Sequence, residues 1–254
     1  MKFIRDRILD GELMCSIAAQ LGSSLTVEMI SNAGFDWTWI DCEHGSGDYG
    51  ELIHQLQVAR MGKAPAIVRI SWNIPWLFKR VLDLGAAGIM VPYVNTAAEA
   101  EEAVQSLRYQ PEGIRGVAGS PPCCGFGQKF DEYYSSANEN LTLMVQIETA
   151  EAVENAGEIA AMPGVDVLFV GPMDLSFNLG IPKKFKDSKL EACLDTVVGA
   201  CKKHGKAPGI LTPTLDFLDV WMKKGFTVFV VGSDSLLLAK MFKQISEKCS
   251  SLKI

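Results

Sequence analysis

The protein has 254 residues, of which 48 % are hydrophobic and 21 % are charged, and its formal net charge is −6 at pH 7. The composition is that of a soluble globular chain, and the acidic balance argues against nucleic acid as a partner. The charged first residues lack an apolar signal core, and no apolar run reaches the ~18 residues of a membrane span. We therefore expect a cytoplasmic protein with no membrane partner.

Eight apolar runs of strand length alternate with helical patterns along the chain. The runs are MCSIAAQ (14–20), DWTWID (36–41), AIVRI (66–70), GIMVPYV (88–94), LTLMVQIE (141–148), VDVLFVG (165–171), APGILT (207–212) and FTVFVVG (226–232). None alternates cleanly with polar residues, which is typical of strands covered on both faces. Between the runs, segments such as LTVEMISNAG and IPWLFKRVLDLG have apolar residues at helical spacing and end in glycine.

Eight strand–helix units in one chain predict a (β/α)₈ TIM barrel that forms a single domain over residues 1–254. A doubly wound open sheet is the alternative, but no G-x-G-x-x-G follows the first strand. The one long irregular connection, 109–140, contains five glycines and three prolines. An insert of this kind in a barrel predicts a functional loop over the site.

Polar residues stand where several predicted strands end, which is where barrel enzymes place their chemistry. The second strand ends in Asp41-Cys42-Glu43-His44, the third carries Arg69, the fifth ends in Gln146-Ile147-Glu148, and the sixth ends in Gly171-Pro172-Met173-Asp174. Four neighbouring regions therefore bring carboxylates, a histidine and an arginine to one rim.

Glu148 and Asp174 are separated by one strand–helix unit. Adjacent strands lie roughly 4.8 Å apart, and two carboxylates that close repel unless a cation lies between them. Oxygen ligands with several open positions suit Mg²⁺ or Mn²⁺ at a catalytic site. The alternative, of equal weight from geometry alone, is that Glu148 caps the next helix and Asp174 caps a turn.

Arg69, His44 and Asp41 each allow two interpretations. An arginine inside a strand either pairs with a structural carboxylate or stabilises a developing oxyanion. A lone histidine after a strand is more often structural. The nearby Asp41 favours a proton-transfer role for His44, because a carboxylate can orient the ring and raise its pKa.

Five segments, taken in order, resemble the HpcH/HpaI aldolase family. They are FDWTWIDCEHG (35–45), VRISWN (68–73), YQPEGIRGV (109–117), VQIETAEAVENAGEIAAMPGVDVLFVGPMDLS (145–176) and GKAPGIL (205–211). The resemblance runs from about residue 12 to 245. Members are metal-dependent (class II) pyruvate aldolases that act on 2-keto-3-deoxy sugar acids and 4-hydroxy-2-oxo acids, and macrophomate synthase and related oxaloacetate decarboxylases are relatives.

The resemblance implies a role for each matching residue. Glu148 and Asp174 would be the ligands of a divalent metal, Mg²⁺ or Mn²⁺, with Co²⁺ as a third candidate. His44 would be the catalytic histidine with Asp41 as its partner, and Arg69 would hold the oxyanion. Substrate-binding positions would be Gln146 beside the metal, Gly171, Pro172 and Met173 near the pyruvate carboxylate, and Leu211 and Trp39 toward the second substrate.

The implied reaction is the reversible retro-aldol cleavage of a 2-oxo acid to pyruvate and an aldehyde through a metal-bound pyruvate enolate. The absence of a lysine at a predicted carboxyl-terminal strand end argues against a Schiff-base aldolase. Trp39, and the segment 119–130 without the arginine of several sugar-acid aldolases, leave open the alternative of an oxaloacetate decarboxylase similar to macrophomate synthase. The family further implies a homo-oligomer, a hexamer of three dimers that exchange the last helix, here SLLLAKMFKQISEK (235–248).

Overall fold

Eight parallel strands close into one barrel in chain order, so the predicted (β/α)₈ architecture is confirmed. The structure, a computed structural model, describes residues 2–252. The strands are β1 Met14–Ala19, β2 Thr38–Asp41, β3 Ala66–Arg69, β4 Gly88–Val91, β5 Thr142–Ile147, β6 Val167–Val170, β7 Ala207–Thr212 and β8 Val228–Ser233. Each lies within or next to a predicted run.

Apart from the first helix, which precedes β1, the helices follow the strands and surround the barrel. They are α1 Ile4–Leu9, α2 Ser24–Asn32, α3 Tyr49–Met61, α4 Pro75–Asp83, α5 Ala97–Leu107, α6 Phe130–Asn140, α7 Ala150–Glu154, α8 Ala156–Ala161, α9 Pro172–Asn178, α10 Ser188–His204, α11 Asp216–Lys224 and α12 Asp234–Ser251, with a 3₁₀ turn at Pro122–Cys124. Within residues 2–252, no helix combines the length and the apolar character needed to cross a bilayer.

The apolar residues form two separate layers of core. The outer layer lies between strands and helices, and the inner layer fills the barrel with side chains such as Met14, Trp39 and Phe169. Ile4 and Ile8 of α1 belong to the inner layer, so this short helix closes the amino-terminal end of the barrel. The floor is therefore packed with apolar side chains, and polar residues are left for the opposite end.

Strand register places the polar residues opposite one another. In the parallel pairing of β2 with β3, Asp41 stands beside Arg69 at the last position of each strand. Both side chains follow the inward direction of Trp39 and Ile67, since side chains two residues apart share a face. The two charged groups are thus fixed by rigid strands.

The connection 109–140 lies at the amino-terminal end of the barrel, and the prediction that it covers the site is wrong. It leads from the end of α5 to the start of β5, and every helix-to-strand connection reaches that end. Arg115 anchors it, with Nη2 donating to Oδ1 of Asp83 at 2.8 Å and the guanidinium 4.4 Å from the centroid of the Tyr109 ring. The segment 119–130 therefore does not line this chain's own rim.

Helix α12 leaves the barrel with its apolar side exposed. Asp234 is its only buried residue. The helix presents Leu236, Leu237, Leu238, Met241, Phe242 and Ile245 with 41–65 % of their surface exposed. An exposed apolar stripe of this extent is typical of an interaction surface.

Candidate active site

Four polar side chains are buried together at the carboxyl-terminal ends of β2, β3 and β5. The exposed fraction is 3 % for Asp41, 6 % for Arg69, 1 % for Gln146 and 2 % for Glu148. Buried polar groups are tolerated only when they are paired or when they hold a ligand. The hydrogen bonds of this cluster therefore show which groups are already satisfied.

Asp41 and Arg69 form a two-point ion pair. Nε of Arg69 donates to Oδ1 of Asp41 at 2.9 Å, and Nη2 donates to Oδ2 at 2.7 Å. Burial favours a higher pKa for Asp41, but the hydrogen bonds and the charge of Arg69 outweigh burial and hold the pKa below its usual value. A bidentate pair of this kind fixes the plane of the guanidinium.

Further contacts of Arg69 fix its position. Nη1 lies 2.9 Å from Oε2 of Glu43, and the same nitrogen approaches Oε1 of Gln146 at 3.5 Å. The guanidinium carbon lies 4.6 Å from the centroid of the Trp39 ring, and Trp39 packs edge-on against Phe169. Trp39 is 1 % exposed, so it supports the arginine from below and is covered by it.

His44 lies at the mouth of the barrel. Its side chain is exposed, while its backbone N–H donates to Oδ1 of Asp41 at 3.2 Å. The other partners of Asp41 are Arg69, the Gln20 amide and the backbone N–H of Glu43. The structure therefore does not show the expected bond between Asp41 and the His44 ring, because the arginine and the turn backbone occupy the carboxylate.

Glu148 points into the barrel and does not cap a helix. Its Oε1 accepts from the Gln146 amide at 2.8 Å, and its Oε2 accepts from the backbone N–H of Tyr93 at 3.3 Å. The next helix is capped by Thr149, whose hydroxyl accepts from the N–H of Ala152 at 3.0 Å. The capping alternative for Glu148 is therefore wrong.

Negative charge accumulates around Glu148. Burial, and after it the charge of Asp174 in the first turn of α9, raise the pKa of Glu148 to about 8. Burial also raises the pKa of Glu43, although the charge of Arg69 opposes that effect. Asp41, Glu43 and Glu148 thus share the charge of one guanidinium. Burial and neighbouring negative charge destabilise the ionised form of a carboxylate, and a bound cation stabilises that form.

The donor set fits a hard divalent cation. Glu148 and Asp174 offer carboxylate oxygens, and Gly171 leaves the space that the Glu148 carboxylate fills, because a Cβ there would collide with Oε1. No group of three or more His, Cys, Asp or Glu side chains within residues 2–252 is arranged to hold a metal. The predicted site has two carboxylate ligands, Glu148 and Asp174, which leaves positions for water and substrate.

The remaining predicted residues lie around this centre. Gly171 and Pro172 begin α9, and Met173, 43 % exposed, is on the outer surface of its first turn. Leu211, near the end of β7, packs partly buried against the inner core. The start of α9 and Leu211 therefore belong to the same end of the barrel as the four buried polar residues.

Three residues at this end were not identified from the sequence. Gln20 directly follows β1 and bonds Asp41, and Tyr93 follows β4 and donates its N–H to Glu148. The exposed ring of Trp72 stacks on the Tyr93 ring with 6.2 Å between centroids. The end of a strand is the signal that would have identified both residues, since Gln20 is the first residue after β1 and Tyr93 is the second after β4.

A cavity away from these residues lies at the other end of the barrel. Its volume is about 500 Å³, and it lies at the amino-terminal end between α3, the start of β4 and α6. None of the residues that line it belongs to the polar cluster described above. The buried charges and hydrogen bonds identify the site, because catalytic chemistry requires charged and hydrogen-bonding groups. A cavity without such groups is not sufficient.

A family model supports the same assignment. The model described as HpcH/HpaI aldolase/citrate lyase matches residues 19–240. The 5-keto-4-deoxy-D-glucarate aldolase of Klebsiella pneumoniae is 39 % identical over 84 % of this chain and 83 % of its own. The 4-hydroxy-2-oxo-heptane-1,7-dioate aldolase of Escherichia coli is 35 % identical over 90 % of this chain and 87 % of its own. Both relatives are aldolases, and the prediction of a carbon–carbon lyase is confirmed.

Solved structures agree with the fold. A HpcH/HpaI aldolase/citrate lyase family protein from Burkholderia cenocepacia has a TM-score of 0.91 and 33 % identity, and the match covers 97 % of this chain and 98 % of that one. Macrophomate synthase, at 23 % identity and a TM-score of 0.82, shares the fold. The predicted resemblance to the family is confirmed.

Proposed function

We propose that this chain, which belongs to the HpcH/HpaI aldolase/citrate lyase family, is a class II aldolase. Its substrate is a 2-keto-3-deoxy sugar acid or a 4-hydroxy-2-oxo acid, which it cleaves reversibly to pyruvate and an aldehyde. The supporting observation is the buried Glu148, whose pKa is raised by burial and by Asp174, beside the fixed Arg69. The names of the two aldolase relatives support the same class of substrate.

Glu148 and Asp174 would hold the divalent metal, Mg²⁺ or Mn²⁺, with Co²⁺ as the third candidate. When bound, such a cation acts as a Lewis acid toward the oxygens of a 2-oxo acid. The Gln146 amide keeps Glu148 oriented through its 2.8 Å bond. Tyr93 holds the other carboxylate oxygen through its backbone, so the ligand does not have to be reorganised when the metal binds.

Arg69 stabilises the negative charge that develops on the keto oxygen. Its plane is set by Asp41 before substrate arrives, and preorganised donors of this kind are worth far more than mobile ones. The first backbone N–H groups of α9, at Met173 and Asp174, have no intrahelical acceptor and are suited to the substrate carboxylate.

His44 takes the proton from the 4-hydroxyl group of the substrate. The bond between C3 and C4 breaks, its electron pair passes into the pyruvate enolate, and the aldehyde leaves. The exposed position of His44 at the mouth of the barrel suits a base that acts on the outer part of the substrate. Its ring belongs to no hydrogen bond among residues 2–252, so it is free to turn toward a ligand.

The experiment is release of pyruvate from a panel of 2-oxo acids with added Mg²⁺, Mn²⁺ or Co²⁺ and with EDTA. The panel holds 2-keto-3-deoxy sugar acids, 4-hydroxy-2-oxo acids and oxaloacetate. We expect metal-dependent release from the hydroxy acids and loss of release with EDTA. Release that survives complete removal of the metal would contradict the proposal.

His44→Ala separates the aldolase from the alternative, an oxaloacetate decarboxylase. Cleavage of a hydroxy acid needs a proton acceptor and decarboxylation does not, so the variant loses more of the first activity than of the second. His54→Ala is the matched control, because His54 lies on the outer helix α3. Release from oxaloacetate alone by the unaltered protein would identify the decarboxylase.

We propose that the active form is a homo-oligomer of exchanged dimers, assembled as a hexamer. The supporting observation is the exposed apolar side of α12. A second copy of this chain is the occupant that we assign to it, because the helix is tethered to its own barrel only through its first turn. We propose the cytoplasm as the location of this protein.

A further inference from the structure

Gln20 lies between Asp41, which pairs with the proposed catalytic Arg69, and the first turn of α12. Nε2 of Gln20 donates to Oδ2 of Asp41 at 2.9 Å, the same oxygen that accepts Nη2 of Arg69 at 2.7 Å. On its other side, Oε1 of Gln20 accepts from the hydroxyl of Ser235 at 3.0 Å. A single side chain thus bridges the ends of β1, β2 and β8.

Backbone contacts hold the bridge in place. Both oxygens of the buried Asp234 accept backbone N–H groups, from Gln20 at 2.8 Å and from Leu21 at 3.3 Å. The hydroxyl of Ser233 caps α12 at the N–H of Leu236 and lies 3.0 Å from the hydroxyl of Ser235. The turn after β1 and the start of α12 are therefore one hydrogen-bonded unit.

We propose that Gln20 is a positioning residue, which fixes the Asp41–Arg69 pair to the first turn of α12. The inference rests on the proposed function for its catalytic consequence. Without the Gln20 amide, Oδ2 of Asp41 keeps only the arginine, while Oδ1 still accepts the backbone N–H groups of Glu43 and His44. The carboxylate can then swing about Oδ1 and carry the guanidinium with it. The guanidinium then points at the developing oxyanion for a smaller fraction of the time. The orientation of Arg69 thus depends on a helix whose apolar side faces outward.

Gln20→Met tests the bridge, because methionine keeps the length of the side chain and removes both hydrogen-bonding groups. We expect kcat to fall about tenfold, since loss of catalytic geometry costs up to ~100-fold, while KM changes less than about twofold. Ser235→Ala releases one end of the bridge and has a smaller effect. Because both substitutions break the same chain of hydrogen bonds, the double variant should have the same kcat as Gln20→Met alone.

Two control substitutions are matched to these. Gln105→Met removes an exposed glutamine amide on α5, and Ser251→Ala removes a hydroxyl at the far end of α12. Both should leave kcat unchanged. Light scattering should give the same oligomeric state for every variant. Losses that multiply in the double variant, or a loss that accompanies dissociation, would overturn the assignment.

A readout independent of turnover distinguishes this inference from the proposed function. Phenylglyoxal modifies accessible arginines, and peptide mass spectrometry measures the rate at Arg69. We expect faster labelling of Arg69 in Gln20→Met and Ser235→Ala than in either control. If the unaltered protein cleaves no 2-oxo acid but this contrast holds, the proposed function fails and the bridge stands. Unchanged labelling with unchanged kcat overturns the bridge and leaves the function intact.

Discussion

Gly171 is the position where one methyl group should damage the proposed metal site most directly. A Cβ built there would collide with Oε1 of Glu148 and would lie 2.9 Å from its Cγ and 3.0 Å from its Cδ. Ordinary Cβ contacts begin at 3.4 Å, so the Glu148 side chain must retreat by about 0.5 Å or more. Its two hydrogen bonds, to Gln146 and Tyr93, oppose that retreat. The φ angle of Gly171 is −93°, so the backbone itself accepts alanine.

Gly171→Ala should therefore weaken the metal site without unfolding the barrel. Loss of orientation at a metal ligand costs roughly 10- to 100-fold in affinity or activity. Mn²⁺ binding is measured by titration calorimetry, and pyruvate release is measured at saturating Mn²⁺. Gly199→Ala is the matched control, because Gly199 lies inside α10 with no atom within 4 Å of the added Cβ. That control should gain up to ~1 kcal/mol of stability.

Two results would refute this reasoning. If Gly171→Ala binds Mn²⁺ and releases pyruvate within twofold of the unaltered protein, Glu148 is not held where the metal needs it. If both glycine variants lose activity alike, the effect is not local to the carboxylate. Either result would remove the argument that Glu148 is a preorganised ligand.

Two further predictions concern stability and assembly. Arg115→Met removes a buried guanidinium from Asp83, which is a fifth exposed. The substitution should lower the free energy of unfolding by about 3 kcal/mol in urea titrations. Arg108→Met, whose ion-pair partner Glu112 is half exposed, should lower it by only ~0.5 kcal/mol. An equal cost for both would contradict the anchoring role of Arg115. Phe242→Glu on the exposed side of α12 should dissociate the proposed oligomer in light scattering, while Lys240→Glu should not. A species of unchanged mass would refute the proposed interface.

The strand–helix alternation was sufficient to predict the barrel, because strands buried on both faces leave continuous apolar runs. The eight strands lie within or beside their predicted runs, although β2, β6 and β8 start two residues later than the runs do. The segment 109–140 was misplaced because its glycines and prolines mark an irregular connection without marking its end of the barrel. Its position in the chain between α5 and β5 indicates the amino-terminal end of the barrel, because a chain that enters a parallel strand arrives at that end.

At the site, residue types were predictable from strand ends and the pairing between them was not. Asp41 and His44 are close in sequence, which suggested a direct pair, but the register of β2 with β3 gives the carboxylate to Arg69. That register follows from which strands are neighbours in the closed barrel, and spacing along the chain does not contain it. The role of Gln20 could not be predicted for the same reason. Its partners Asp41 and Ser235 are 21 and 215 residues away, and only closure of β1 against both β2 and β8 brings all three together. The proposed catalytic groups can thus be identified from the local sequence at strand ends, while the contacts that orient them depend on the closed sheet.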